Sequence, residues 1–125
     1  LNQALSINPK KIDALLAKAE LNFDLENFKE SIADCNKVLE IDSLNADAYF
    51  HRGMAFGGES KDKEAVNDFN KAIELNPGHD EALTYRGAAK LLSGNKKGAC
   101  LDWKRAMELG NDMAEENYEK YCVTE

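Results

Sequence analysis

Ala46 to His79 reads ADAYFHRGMAFGGESKDKEAVNDFNKAIELNPGH, and the second half of that stretch occurs three times in the chain. Ala65 to Pro77 is AVNDFNKAIELNP, preceded by SIADCNKVLEIDS at Ser31 to Ser43 and followed by ACLDWKRAMELGN at Ala99 to Asn111, so the motif returns every 34 residues. A unit of that length is too short to bury a core of its own, and neighbouring copies must cover one another.

Inside each unit the apolar residues follow a helical period. Ile12, Leu15, Leu16, Ala19 and Phe23 predict an amphipathic helix over Ile12 to Leu25. Asn27 followed by Glu30 has the form of a capping box opening a second helix, Phe28 to Ile41, with Phe28, Ser31, Ile32, Cys35, Val38 and Leu39 on its inward stripe. The middle unit predicts Ala46 to Gly57 and Lys61 to Leu75. The third predicts Asp80 to Ser93 and Lys96 to Leu109, with a turn at Gly94-Asn95. Helices this short are marginal alone and must dock in pairs, and the short loop Asp42 to Asn45 makes neighbours antiparallel.

Small residues recur where two helices approach closely: Ala19, Gly53 and Gly87 in the first helices, and Ser31, Ala65 and Ala99 in the second. Larger ones recur opposite, as Cys35, Phe69 and Trp103. Glycine inside a helix costs about 1 kcal/mol relative to alanine, so Gly53 and Gly87 imply close packing that returns the energy.

At its N-terminus, LNQALSI matches the last turns of a repeat, with Pro9 closing it as Pro77 closes the later unit. The chain therefore divides into 1–11 as the second helix of a truncated repeat, then repeats at 12–45, 46–79 and 80–113, all within one domain. The natural protein is expected to extend further towards its N-terminus. After Leu109, NDMAEENYEKYC puts Ala114, Tyr118, Tyr121 and Cys122 on one face and Glu115, Glu116, Glu119 and Lys120 on the other, so 114–125 reads as a capping helix.

Of the 125 residues 43% are hydrophobic and 31% charged, enough apolar material for a packed core. The formal net charge of −7 repels phosphate backbones, which disfavours nucleic acid and anionic membranes as partners. No apolar run approaches the roughly 20 residues that span a bilayer. Cys35, Cys100 and Cys122 are odd in number and lack CxxC spacing, so free thiols are expected rather than a disulfide framework or a zinc site. Nothing in the sequence fixes a localisation.

Enzyme motifs fail on inspection. GMAFGGES, Gly53 to Ser60, spaces its glycines like a phosphate loop, but Glu59 stands where a lysine is required and no strand precedes it. Cys35 belongs to the inter-helix core and His51 to the opposite face of its helix, so they make no nucleophile–base pair. Asp34, Asp68 and Asp102 fall in different repeats and read as solvated or helix-orienting groups. His51 and His79 have no second ligand at helical spacing. The expectation is a protein without catalytic residues, metal or cofactor.

The middle unit carries Tyr49, Arg52, Gly53, Phe56, Ala65, Phe69, Ala72 and Pro77; the third Leu83, Arg86, Gly87, Ala99, Trp103 and Ala106; the first Leu15, Ala19, Ser31, Cys35 and Val38. In these residues the chain resembles the tetratricopeptide repeat family, with Ser43 and Asn111 standing where proline is usual. GACLDWKRAMELGN followed by a short helix is most similar to bacterial members, a hint of bacterial origin. The resemblance implies an all-α fold, an α-α superhelix in which antiparallel helix pairs stack right-handedly and the first helices line a concave groove that takes extended or helical peptides.

By that resemblance the groove positions are Leu16, Ala17, Glu20, Phe23 and Asp24 in the first unit, Asp47, Phe50, His51 and Met54 in the second, and Glu81, Thr84, Tyr85, Ala88 and Leu91 in the third. Phe50 and Tyr85 read either as exposed anchors for a peptide or as residues packed against neighbouring first helices. Met54 reads as a pliable contact or a filler of the same seam. An aromatic and apolar surface with acidic members suits an apolar or basic protein segment. Co-chaperone members of the family grip a C-terminal carboxylate with lysine, asparagine and arginine at places that here hold Leu16, Glu20, His51, Glu81 and Tyr85, and such a ligand is therefore not expected. A structural spacer or self-association module, supported by the uncovered Leu1 and Leu5, is the alternative.

Overall fold

The computed structural model describes residues 8–123. Among them are seven helices and no strand: α1 (Pro9–Asp24), α2 (Phe28–Ile41), α3 (Ala46–Gly58), α4 (Asp62–Leu75), α5 (Asp80–Leu92), α6 (Lys96–Glu108) and α7 (Asp112–Tyr121). Residues 1–7, and with them most of the expected truncated-repeat helix, lie outside the described residues. Two compact units are distinguished, Leu1–Asp68 and Phe69–Glu125, and the boundary falls within α4.

The helix boundaries follow from local chemistry. α1 begins at Pro9, earlier than the apolar period suggests. The Asn8 side chain accepts hydrogen bonds from the Lys10 and Lys11 amides, and Pro9 has the backbone angle of a first turn. Pro9 therefore opens α1; the preceding helix that it is expected to close lies outside the described residues. Asn45, His79, Asn95 and Asn111 cap α3, α5, α6 and α7 by accepting from the amides three residues on. The capping box expected at Asn27 does not form, since its side chain makes no cap bond. Instead its backbone N–H donates to the Asn22 carbonyl at 2.7 Å and completes the turn that ends α1.

That turn recurs at one position in every unit. Glu26 and Ser60 hold left-handed backbone angles of φ 62° and 63°, and Gly94, in the same place, has φ 92°. Gly110 at φ 99° makes a similar turn after α6, where the Asn111 N–H reaches back to the Ala106 carbonyl. As a result Asn111 caps α7 two residues earlier than strict repetition of Asn45 and His79 would place it. The last repeat thus ends sooner than residue 113, and α7 starts at Asp112 rather than 114.

In the first unit α1 packs on α2, α2 on α3, and α1 on α3. Ile12, Val38 and Ala48 are buried there with Leu15, Leu16, Leu39 and Ile41 against them. Ser31 and Ala19 are fully buried, and the Ser31 hydroxyl donates to the Ala19 carbonyl at 2.8 Å, which shows how closely the two helices approach. In the second unit α6 packs on α5 and α7. Leu83, Ala99, Trp103, Ala106 and Ala114 form its core. A Cβ added to Gly87 would lie 2.7 Å from the Trp103 indole nitrogen, so this glycine makes room for the indole.

One cysteine expectation is overturned. Cys100 and Cys122 are joined by a disulfide with Cα atoms 5.8 Å apart, and Cys35 alone is a free, buried thiol. An odd count excludes a fully paired framework but leaves room for one bridge. The short turn between α6 and α7 folds the chain back and brings residues separated by 22 positions together.

Candidate functional site

The repeated aspartates are structural and buried, not solvated. Asp68 receives two 2.8 Å hydrogen bonds from the Arg52 fork, whose third nitrogen donates to Asn36. Arg86 treats Asp102 and Asn70 in the same way, and Lys90 adds a contact to Asp102 at 3.1 Å. In the first hairpin Lys18 replaces the arginine, reaching Asp34 at 3.8 Å, while Asn22 donates to the same carboxylate at 2.8 Å. The Asp68 hydrogen bonds raise Arg52 above the ordinary arginine range. Its guanidinium also lies 5.5 Å from the Tyr49 ring centre and 5.9 Å from that of Phe56. These pairs fix each first helix against the second.

Cys35 is equally unsuited to chemistry. Burial pushes its thiol up from 9.0 to about 12; Arg52 pulls the other way, and Asp34 and Asp68 push upward again. A buried, protonated thiol is a poor nucleophile.

The expected groove residues divide by exposure. On the first unit Ala17, Glu20, Asp24 and Asp47 are exposed, while Leu16, Phe23, His51 and Met54 are half-buried. Leu16 packs on the Ile12 cluster, and Phe23 holds its ring 5.5 Å from Phe28. Phe50 is only 4% exposed, with His51 edge-on to it at 5.1 Å, so it is a core residue and not a free anchor.

On the second unit Glu81 is exposed, but Thr84 is 1% exposed. Its hydroxyl donates to the Asp80 carbonyl, and its own carbonyl accepts the Trp103 indole N–H at 3.0 Å. Thr84 thus holds the tryptophan in place of facing a ligand. Tyr85 is half-buried, its ring stacked on Phe69 at 6.4 Å; burial, then Glu81, raises its phenol above the usual value.

Ala88 and Leu91 come together with residues the repeat frame did not nominate. With Leu92, Trp103, Asn117 and Tyr121 they line a cleft of about 220 Å³ between α5, α6 and α7. Tyr121 stacks on Trp103 at 5.7 Å and forms one wall. Leu92 is 80% exposed at the rim, and Asn117 contributes an amide to an otherwise apolar recess. The missed signal was the fully buried Ala48, Ala82 and Ala114, each three residues after a cap: the last step is two residues short. Shifting α7 by those two residues gives Asn117 the place in its helix that His51 and Tyr85 hold in theirs.

Residues 46–79 and 12–43 each match a tetratricopeptide repeat model. Together these matches take in more than half of the chain, which belongs to the tetratricopeptide repeat family. No curated protein sequence matches it significantly. Among solved structures it is similar to the first tetratricopeptide domain of Spaghetti (RPAP3) bound to the HSP90 peptide SRMEEVD, at 26% identity and TM-score 0.82, covering 92% of this chain and 93% of that one. The first such domain of human RPAP3 is 27% identical with TM-score 0.83, covering 91% of each chain. The domain of Arabidopsis OM64, at 19% identity and TM-score 0.83 over 90% of this chain and 94% of that one, shares the fold. Solved neighbours come from human, Arabidopsis, Aspergillus fumigatus and Desulfovibrio magneticus proteins alike and assign no origin, so the expected bacterial origin is not supported. The fold class is all-α and tetratricopeptide-like, in general a non-catalytic module for protein interaction.

Proposed function

We propose that the chain is a non-catalytic scaffold that binds an apolar or basic peptide segment on the faces of its first helices, with the α5–α6–α7 cleft taking an apolar side chain. The cleft carries this reading. It is an apolar recess of side-chain size whose single amide, Asn117, can orient a peptide backbone. The 26% identical neighbour holding a peptide supports the same class of ligand.

The ligand differs from that neighbour's acidic SRMEEVD. Where carboxylate-gripping relatives place lysine, asparagine and arginine, this chain has Leu16, Glu20, His51, Glu81 and Tyr85; Glu20 and Glu81 are exposed and would repel an acidic tail. The net charge of −7 favours basic segments at longer range. The alternative of a spacer or self-association module rests on Leu1 and Leu5, which lie outside the described residues.

Fluorescence anisotropy with labelled peptides tests the reading. A basic, leucine-containing peptide should bind, and the Leu92→Ser/Asn117→Ala double variant should weaken it by about tenfold with helicity unchanged. Equal binding by the variant would remove the cleft from the site. Tight capture of SRMEEVD would overturn the charge argument.

A further inference from the structure

The Cys100–Cys122 bridge lies beside the cleft and is the only cross-link among the described residues. α7 has ten residues, too few to be helical alone. Its first turn is well held: Asn111 caps it and donates to Asp80 at 2.8 Å, and Ala114 is fully buried in the core. Its last turn is held by Tyr118 and Tyr121, both packed against the Trp103 core, and by Cys122 just beyond it, while Glu119 and Lys120 face solvent. Cys100 and Cys122 are only partly buried, so a reductant can reach them, whereas Cys35 is sealed in the first unit.

We propose that Cys100 and Cys122 form a reversible disulfide clasp that fixes the last turn of α7 and, through the adjacent Tyr121, the wall of the cleft. Opening it takes a dithiol. One reductant thiolate attacks one of the two sulfurs, breaking the Cys100–Cys122 bond and forming a mixed disulfide. The second reductant thiol displaces the protein sulfur. The products are two protein thiols and an oxidised, disulfide-bonded reductant, with two electrons and two protons transferred. In the reduced chain the last turn frays, Tyr121 leaves Trp103 and the cleft loses a wall. The bearing on partner binding rests on the peptide-binding reading above; the clasp does not, and its test contains no peptide.

The test compares the full chain oxidised with oxidised glutathione and reduced with dithiothreitol. A non-reducing digest of the oxidised chain should yield one cross-linked peptide pair containing Cys100 and Cys122, with Cys35 alkylated only after denaturation. Reduction should speed amide exchange across Tyr118 to Val123 by on the order of tenfold or more and leave α1 and α2 unchanged. Emission of Trp103, the single tryptophan, should shift as its stack opens. Cys122→Ser should resemble the reduced chain and ignore reductant; if that variant does not fold, the two forms of the natural chain still decide. Free Cys100 and Cys122 after oxidation, or unchanged exchange and emission on reduction, would overturn the proposal.

Discussion

The α1–α2 and α5–α6 hairpins, two repeat lengths apart, solve one packing problem in opposite ways. In the first, Ala19 meets Ser31, Cys35 is fully buried on the same helix as Ser31, and the gap closes with small side chains and a hydroxyl-to-carbonyl bond. In the last, Gly87 gives up its side chain so that Trp103 fills the slot, with its indole N–H on the Thr84 carbonyl. The ion pairs differ in parallel: Lys18 touches Asp34 loosely at 3.8 Å, whereas Arg86 grips Asp102 with two 2.8 Å bonds. The tolerance of the repeat thus lies in the sum of facing volumes, not in any one residue. The hairpin built around a tryptophan adjoins the apolar cleft lined by Leu92 and Tyr121.

The largest break in this comparison should come from emptying the two slots. Trp103→Ala should cost about 3–5 kcal/mol, against roughly 1 kcal/mol for Cys35→Ala, measured by urea denaturation. Equal costs would show that the tryptophan is not the keystone of its hairpin. Asp102→Ala should follow at about 2 kcal/mol, because it leaves the half-buried Arg86 and Lys90 facing each other; Asp34→Ala, which strands a solvated lysine and the Asn22 amide, should cost less, about 1 kcal/mol.

Alkaline pH should single out the first hairpin. The Cys35 thiol is raised on folding, so its contribution is fully present below the unfolded value near 9.0 and is lost as pH climbs towards about 12. Stability should fall by ~1 kcal/mol between about pH 8 and about pH 10 from this group. Cys35→Ala should flatten that slope, and an unchanged slope would discard the assignment. Tyr85, also raised by burial, adds in the same direction. The smallest effect belongs to the turns. Glu26→Gly relieves a left-handed glutamate and should gain up to about 1 kcal/mol, while Gly94→Ala, where a Cβ meets no atom, should lose a similar amount through backbone angle alone.

Much of the fold was legible. α2 has the expected bounds, and α3 to α6 agree within a residue or so, because their stripes and turns repeat in register. The candidate site was less so. Position in the repeat nominated Phe50 and Thr84 as groove residues, but whether a side chain on the inner face stays open depends on what its neighbours fill, which no single helix encodes. Asn117 and Tyr121 were missed because the last loop is two residues short, which takes α7 out of the 34-residue register.

The sequence by itself determined the helices, their pairing and the family, since the 34-residue period and the small–large alternation are local or strictly repeated signals. The tertiary structure alone decided which groove positions are buried, that Asp68 and Asp102 are gripped by arginines, and that Cys100 meets Cys122 beside a cleft. Those facts depend on distances between residues far apart in the chain, and such distances are set only when the helices have docked.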